Sequence, residues 1–102
     1  MLFNYGSLNK AQRVLWGYYF FKLIGLTPRV NVDVSVLIKF LHVTNDMELD
    51  NFKNSYFYKL AWKAPNIKVD EKLLFDLKLV RENFKEFGLP TTEIDYEISK
   101  LK

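Results

Sequence analysis

Apolar and polar residues recur with a helical period along most of the chain, and this pattern predicts five to six helices with short connections. The clearest helix has Asp70 as its N-cap and ends at Gly88-Leu89-Pro90, because glycine favours a helix C-terminus and proline cannot continue one. A last helix begins at Thr92. The apolar stripe of the long helix consists of Leu73, Leu77, Val80, Phe84 and Phe87, and that of the last helix of Ile94, Ile98 and Leu101.

Residues 9–25 are predicted to form a helix that is apolar around its whole circumference. Asn9 can cap it, Gln12 completes a capping box, and Gly25 suits its C-terminal end. Five of the six residues from 16 to 21 are aromatic, so this helix must be surrounded by the domain or shared with a partner. We therefore expect the helix at 10–24 to lie at the centre of the domain or at a dimer seam.

Residues 30–36 permit two interpretations. Four valines alternate with polar residues, which is typical of a strand, yet Val34, Leu37 and Leu41 follow a helical spacing and Asp33 suits an N-cap. No other stretch alternates strongly enough to pair with such a strand. We predict a short extended segment at 30–34 and then a helix over 34–43.

The middle of the chain is predicted to contain a turn at 44–46 and two short helices, at 48–53 and 55–63. Pro65 and Asn66 close the second of these. Gly17 lies inside the first helix, where glycine costs about 1 kcal/mol relative to alanine. Its position predicts that another helix crosses closely there.

Length and composition indicate a single folded domain. The chain has 102 residues, of which 49% are apolar and 17% aromatic, values that exclude a disordered protein. The absence of cysteine excludes disulfides, thiolate metal sites and cysteine nucleophiles, and fits a reducing compartment. The longest apolar run is too short to cross a bilayer. We expect a cytoplasmic, compact, orthogonal all-α bundle around one core that spans residues 1–102.

No combination of residues indicates catalysis or metal binding. His42 is the only histidine, and we expect it to be partly exposed on the polar stripe of its helix. Asp46, Glu48 and Asp50 alternate as in a cation-binding loop but lack the glycine that such a loop requires. Carboxylate pairs such as Glu93 and Glu97 share helix faces without an apolar pocket around them. We predict no enzyme, metal or cofactor, and no small-molecule ligand is evident.

The net charge of +3 is too small to indicate nucleic-acid binding by itself, but it is unevenly distributed. No acidic residue lies between Asp50 and Asp70, where four lysines alternate with aromatic residues. Such a segment can bind nucleic acid through base stacking and phosphate contacts. Alternatively, Phe52, Tyr56 and Leu60 face the core and the lysines face solvent. The four lysines are Lys53, Lys59, Lys63 and Lys68.

Between residues 15 and 84, helix starts, aromatic residues and leucines follow one another in an order that is similar to that of a known family. Asn31-Val32-Asp33-Val34 begins one helix, and Phe40 and Leu49-Asp50-Asn51-Phe52 follow it. A leucine-rich helix with Leu74 and Leu77 comes last, and a helix at 15–25 precedes them all. This succession resembles the C-terminal region of the RteC family, regulators associated with excision of tetracycline-resistance conjugative transposons.

The resemblance implies an all-helical module that acts with DNA or with a partner protein. The family has an arginine- and lysine-rich cluster before the last long helix. This chain has only Lys59, Lys63 and Lys68 there, and Ala64-Pro65-Asn66 occupies part of the cluster. DNA binding is therefore the part of the resemblance that these residues support least.

The sequence therefore predicts a non-enzymatic interaction or regulatory module whose partner is a second copy or another protein. Its aromatic helix would supply the contact surface through Trp16, Tyr19, Phe20 and Leu23. The alternative is a DNA-binding accessory regulator of a mobile element that uses the segment 53–68.

Overall fold

A computed structural model describes residues 8–26, 31–45, 56–66 and 70–101, and in these ranges it contains five helices and no strand. The predicted all-α fold class is confirmed. The predicted short helix at 48–53 lies outside the described residues. The helices are α1 Lys10–Leu23, α2 Asn31–Thr44, α3 Tyr56–Lys63, α4 Asp70–Phe87 and α5 Thr92–Leu101.

Helix α1 lies at the centre of the molecule, as its all-round apolar sequence predicts. It packs against α2, α3 and α4, while α5 packs mainly on α4. The radius of gyration is 13.0 Å, about the value of a compact domain of this length. The buried residues of α1 are Ala11, Gln12, Val14, Leu15, Trp16, Gly17, Tyr18, Tyr19 and Phe21.

The predicted capping box begins α1. The Asn9 side chain accepts a hydrogen bond from the Gln12 backbone N–H at 2.8 Å, and the Gln12 side chain accepts one from the Asn9 N–H at 3.0 Å. The Gln12 amide also donates to Asp76 Oδ1 at 2.9 Å, and both residues are buried. Gln12 therefore joins the start of α1 to α4 through a buried hydrogen bond.

Both glycines predicted to end helices do so in the same way. Gly25 after α1 and Gly88 after α4 have positive φ values of 91° and 89°. After α1, the Leu26 N–H donates to the Phe21 carbonyl at 2.9 Å. After α4, the Leu89 N–H donates to the Phe84 carbonyl at 2.8 Å in the same way. These are the long hydrogen bonds of the Schellman motif, which requires a left-handed residue at the glycine position.

The predicted extended segment at 30–34 is wrong over its described residues, because α2 begins at Asn31. Asp33 consequently lies in the first turn, where its charge favours the helix N-terminus, and does not act as the N-cap. The alternating valines do not share one environment, since Val34 is fully buried and Val36 is 44% exposed. The helical spacing of Val34, Leu37 and Leu41 places all three in the core.

The other helices bury the predicted stripes with one exception. Leu73, Leu77, Val80 and Phe84 of α4 are buried, but Phe87 is 52% exposed. Phe87 lies in the last turn, where Trp16 contacts its ring but leaves about half of it open to solvent. In α5, Ile94 and Ile98 are buried and Leu101 is half-buried. The buried residues of α3 are Phe57, Leu60 and Ala61.

The helix crossing predicted at Gly17 is formed by α2. A Cβ atom on Gly17 would lie 2.9 Å from Leu37 Cδ1 and 3.7 Å from both Leu41 Cδ2 and Phe40 Cε2. Because Leu37 is fully buried, its side chain has little room to move away. Glycine therefore lets α2 approach closely enough to cover this side of α1.

Replacement of Gly17 by leucine is expected to lower the free energy of unfolding by about 1–3 kcal/mol, because the new side chain overpacks the crossing. Urea denaturation followed by circular dichroism measures the change. Leu37→Ala removes the opposing side chain and serves as the matched partner. The double variant should lose less stability than the sum of the two single variants, and simple additivity would contradict the proposed crossing.

Candidate functional site

An apolar surface lies where the C-terminal ends of α1 and α4 meet. The two helices run in the same direction, since Gln12 contacts Asp76, and Trp16, one turn further along α1, contacts Phe84, about two turns further along α4. Their last turns therefore lie at the same end of the bundle. The side chains exposed or half-buried there are Phe20, Leu23, Ile24 and Phe87, which we call the C-terminal apolar patch.

Trp16 supports this patch from beneath. Its ring stacks on Phe20 with centroids 5.1 Å apart and meets Phe84 and Phe87 edge-on at 5.3 and 6.1 Å. Trp16 itself is only 6% exposed. Edge-on and offset ring contacts stabilise such clusters beyond the area that they bury. The patch is thus the outer layer of an ordered aromatic cluster.

The four predicted interface residues differ in their exposure to solvent. Trp16 and Tyr19 are buried within the chain itself, whereas Phe20 is half-buried and Leu23 is 37% exposed. Ile24 and Phe87 are more exposed, but they are not among the interface residues that the sequence predicts. Ile24 lies just beyond the helix, and the spacing of Phe87 assigns it to the core stripe. The helical spacing of the sequence therefore does not reveal that these two residues are exposed.

The lysine-rich segment is described in part. Lys59 and Lys63 are both exposed and lie one turn apart on α3, while Lys53 and Lys68 lie outside the described residues. Tyr58 and Trp62 occupy the neighbouring stripe of the same helix. Their rings meet edge-on at 6.4 Å, and both are half-buried. Helix α3 therefore presents an aromatic pair beside two lysines.

The prediction that His42 is partly exposed is wrong, because this residue is only 2% exposed. Its ring lies 6.2 Å from that of Phe57, since α3 covers the side of α2 that the sequence suggested was polar. Within the described part of the chain, no group of three or more histidines or carboxylates could hold a metal ion. Asp46, Glu48 and Asp50 lie outside that part.

A cavity of about 300 Å³ lies between α1, the end of α3 and α5. Sequence reasoning did not identify it, because its residues come from three separate segments. The spacing of Glu93 with Glu97 and of Tyr96 with Lys100, four residues apart in each case, places these four residues together. The other lining residues are Tyr18, Tyr19, Lys22, Pro65 and Asn66.

Two lysine ammonium groups already lie against the rings and carboxylates of this cavity. Lys22 Nζ is 5.5 and 5.8 Å from the ring centroids of Tyr18 and Tyr19 and 3.0 Å from Glu93 Oε1. Lys100 Nζ lies 5.3 Å from the Tyr96 ring centroid and 3.6 Å from an oxygen of Glu97. These are cation–π and ion-pair distances.

Burial raises the pKa of the Tyr19 hydroxyl well above its usual value of 10, and the charge of Glu97 is the next largest cause. Tyr18 and Glu93 add to this effect. The phenol of Tyr19 therefore keeps its proton at physiological pH. It can donate a hydrogen bond into the cavity but cannot act as a base there.

No protein-family model matches the chain, and neither a curated protein nor a solved structure is detectably similar to it. Membership of the RteC family therefore stays a prediction. Among the described helices, none is long and apolar enough to cross a membrane.

The protonated Tyr19 phenol predicts a loss of stability at alkaline pH. Its pKa is higher in the folded than in the unfolded chain, so its contribution is complete below about pH 10 and falls as the pH rises further, by at most about 1.4 kcal/mol per pH unit. Urea denaturation at pH 9 and pH 11 measures this dependence. Tyr19→Phe should lose less stability than wild type between these pH values, and equal losses would contradict the prediction.

Proposed function

We propose that this protein is a non-enzymatic interaction module that self-associates through the C-terminal apolar patch. The observation that carries the proposal is the contact of Phe20 and Phe87 with the buried Trp16, with Leu23 and Ile24 one turn after Phe20 on the same face. Single exposed apolar residues are ordinary on protein surfaces, whereas a contiguous group of them is typical of contact sites.

The composition of the patch favours tight packing with another protein. Aromatic residues are enriched at the centres of interfaces, where they fill pockets and exclude water. Because Trp16 holds the rings of Phe20 and Phe87 through direct contacts, these side chains need little further ordering when they bind. Less conformational entropy is then lost on association.

A second copy of the chain is the partner that we favour. A two-fold contact places the same residues opposite one another, which suits an apolar surface but not a surface of one charge. The four side chains of the patch are uncharged, so two facing copies bring no like charges together there.

The test is the oligomeric state of Phe87→Asp, measured by sedimentation over a range of concentrations. Wild type is expected to dimerise, and the variant should raise the dimer dissociation constant at least about 30-fold, or ~2 kcal/mol, because a carboxylate would be buried in the seam. Phe75→Asp is the matched control. Phe75 lies on the same helix, is 66% exposed and is outside the patch, so its replacement should leave the dimer intact.

Ile24→Asp provides a second disruption, since Ile24 is 57% exposed and its replacement should not unfold the chain. A wild-type protein that stays monomeric at the highest attainable concentration would refute self-association. The same conclusion would follow if Phe75→Asp dissociated the dimer as strongly as Phe87→Asp.

The alternative function is a DNA-binding accessory regulator of a mobile element, as the resemblance to the RteC family implies. One observation supports it. Lys59 and Lys63 are exposed beside the ring pair of Tyr58 and Trp62, a combination suited to phosphate contacts and base stacking.

This alternative predicts a salt-dependent affinity for duplex DNA of random sequence. Lys59→Gln and Lys63→Gln should each reduce the slope of log affinity against log salt by about 0.9, because each removes one phosphate contact. Lys78→Gln, an exposed lysine on α4, should leave the slope unchanged. Fluorescence anisotropy measures these slopes, and an absence of binding at about 50 mM salt would exclude the alternative.

A further inference from the structure

The cavity between α1, the end of α3 and α5 lies on a different side of α1 from the C-terminal apolar patch. Successive residues of a helix are rotated by about 100°. Tyr18 and Lys22 therefore project away from Phe20 and Ile24, although Ile24 directly follows the helix to which the other three belong. A volume of about 300 Å³ is at the lower limit for ligand pockets and suits a small molecule.

The lining of the cavity has the chemistry of an ammonium site. The rings of Tyr18, Tyr19 and Tyr96 supply negative faces, and the carboxylates of Glu93 and Glu97 supply full negative charges. Glu97 is the better shielded of the two carboxylates, with 13% of its side chain exposed against 49% for Glu93. Attraction of a cation is stronger where water is excluded.

The hydroxyl of Tyr19 adds a polar group that has no partner among the described residues. Tyr19 is 3% exposed and lines the cavity, and its hydroxyl takes part in no hydrogen bond within these residues. Water reaches this hydroxyl from the cavity, since it is not among the fully buried polar atoms that lack a partner. An N–H donor in the cavity could bond to its oxygen.

We propose that this cavity binds a small organic ammonium ion, which replaces the ammonium group of Lys22 against the rings of Tyr18 and Tyr19. The ligand's N–H groups would donate to the Glu93 and Glu97 carboxylates and to the Tyr19 oxygen. Lys22 marks the position, because its own ammonium group already makes the ring and Glu93 contacts.

Displacement of Lys22 costs little. Its side chain is 34% exposed, so water and salt weaken its ion pair with Glu93. The flexible four-carbon stem can then carry the ammonium group into water. Lys100 is 54% exposed, and its ammonium lies 3.6 Å from the Glu97 oxygen, farther than Lys22 lies from Glu93.

The position of the carboxylates favours a cation over an anion beside Tyr19. Two lysines and two glutamates line the cavity, so the formal charges cancel. Burial is the largest cause of the raised pKa of the Tyr19 hydroxyl, and the charges of Glu97 and Glu93 act in the same direction. An anion placed there would meet both carboxylates.

The probe is n-butylammonium chloride, titrated into the full-length ¹⁵N-labelled chain with sodium chloride added to keep the ionic strength constant. Saturable chemical-shift changes are expected at Tyr18, Tyr19 and Lys22 and along 93–100, in the millimolar range. Changes that do not saturate, or that the same concentration of sodium also produces, would overturn the proposal.

Two variants with matched controls test the assigned roles. Glu97→Gln should weaken binding about five- to tenfold, because it removes the shielded carboxylate, whereas Glu86→Gln on the exposed face of α4 should have no effect. Lys22→Met keeps the stem but removes the competing ammonium, so it should tighten binding about two- to fivefold. Lys78→Met is its control.

Tyr96→Ala provides a further variant that should leave the fold intact, since Tyr96 is 63% exposed, and it should weaken binding. Inorganic phosphate tests the opposite charge. If phosphate bound in place of n-butylammonium, or if Lys22→Met weakened n-butylammonium binding, the cavity would be an anion site and the proposal would be wrong. The oligomeric state of Phe87→Asp does not bear on this result, so the two proposals succeed or fail separately.

Discussion

The aromatic helix α1 has to lose contact with water along most of its circumference, and this requirement sets the positions of α2, α3 and α4. Glycine at position 17 lets α2 approach on one side, with Leu37 Cδ1 only 2.9 Å from where a Cβ would lie. On another side, the hydrogen bond from Gln12 to Asp76 and the edge-on contact of Trp16 with Phe84 fix α4 in direction and register. The remaining helix, α5, then covers α4.

Both candidate surfaces follow from this arrangement. Because α1 and α4 run in the same direction and end in the same motif, their last turns lie together. The ring of Phe20 is half-buried there and that of Phe87 is exposed. On the opposite side, α5 stands far enough from α1 to leave the cavity in which Glu93 reaches Lys22 at 3.0 Å.

Features governed by neighbouring residues in the chain could be predicted from the sequence. The capping box at Asn9 and Gln12 and the left-handed glycines at 25 and 88 depend on local hydrogen bonds, so residue type and spacing suffice. The exposure of His42, Ile24 and Phe87 depends on which helix lies opposite. Helical periodicity identifies an apolar or polar stripe but not the length over which another helix covers it. For this reason His42 is buried where exposure is predicted, and Phe87 is exposed where burial is predicted.

The start of α2 illustrates the same limit within a single element. Valines at every second position favour a strand only when a neighbouring strand can pair with them. Here the burial of Val34, Leu37 and Leu41 stabilises a helix, although it leaves Val36 44% exposed. Tertiary burial therefore outweighs the local preference of β-branched residues for extended structure. The same burial brings Leu37 to Gly17, so the close crossing and the early start of α2 have a common cause.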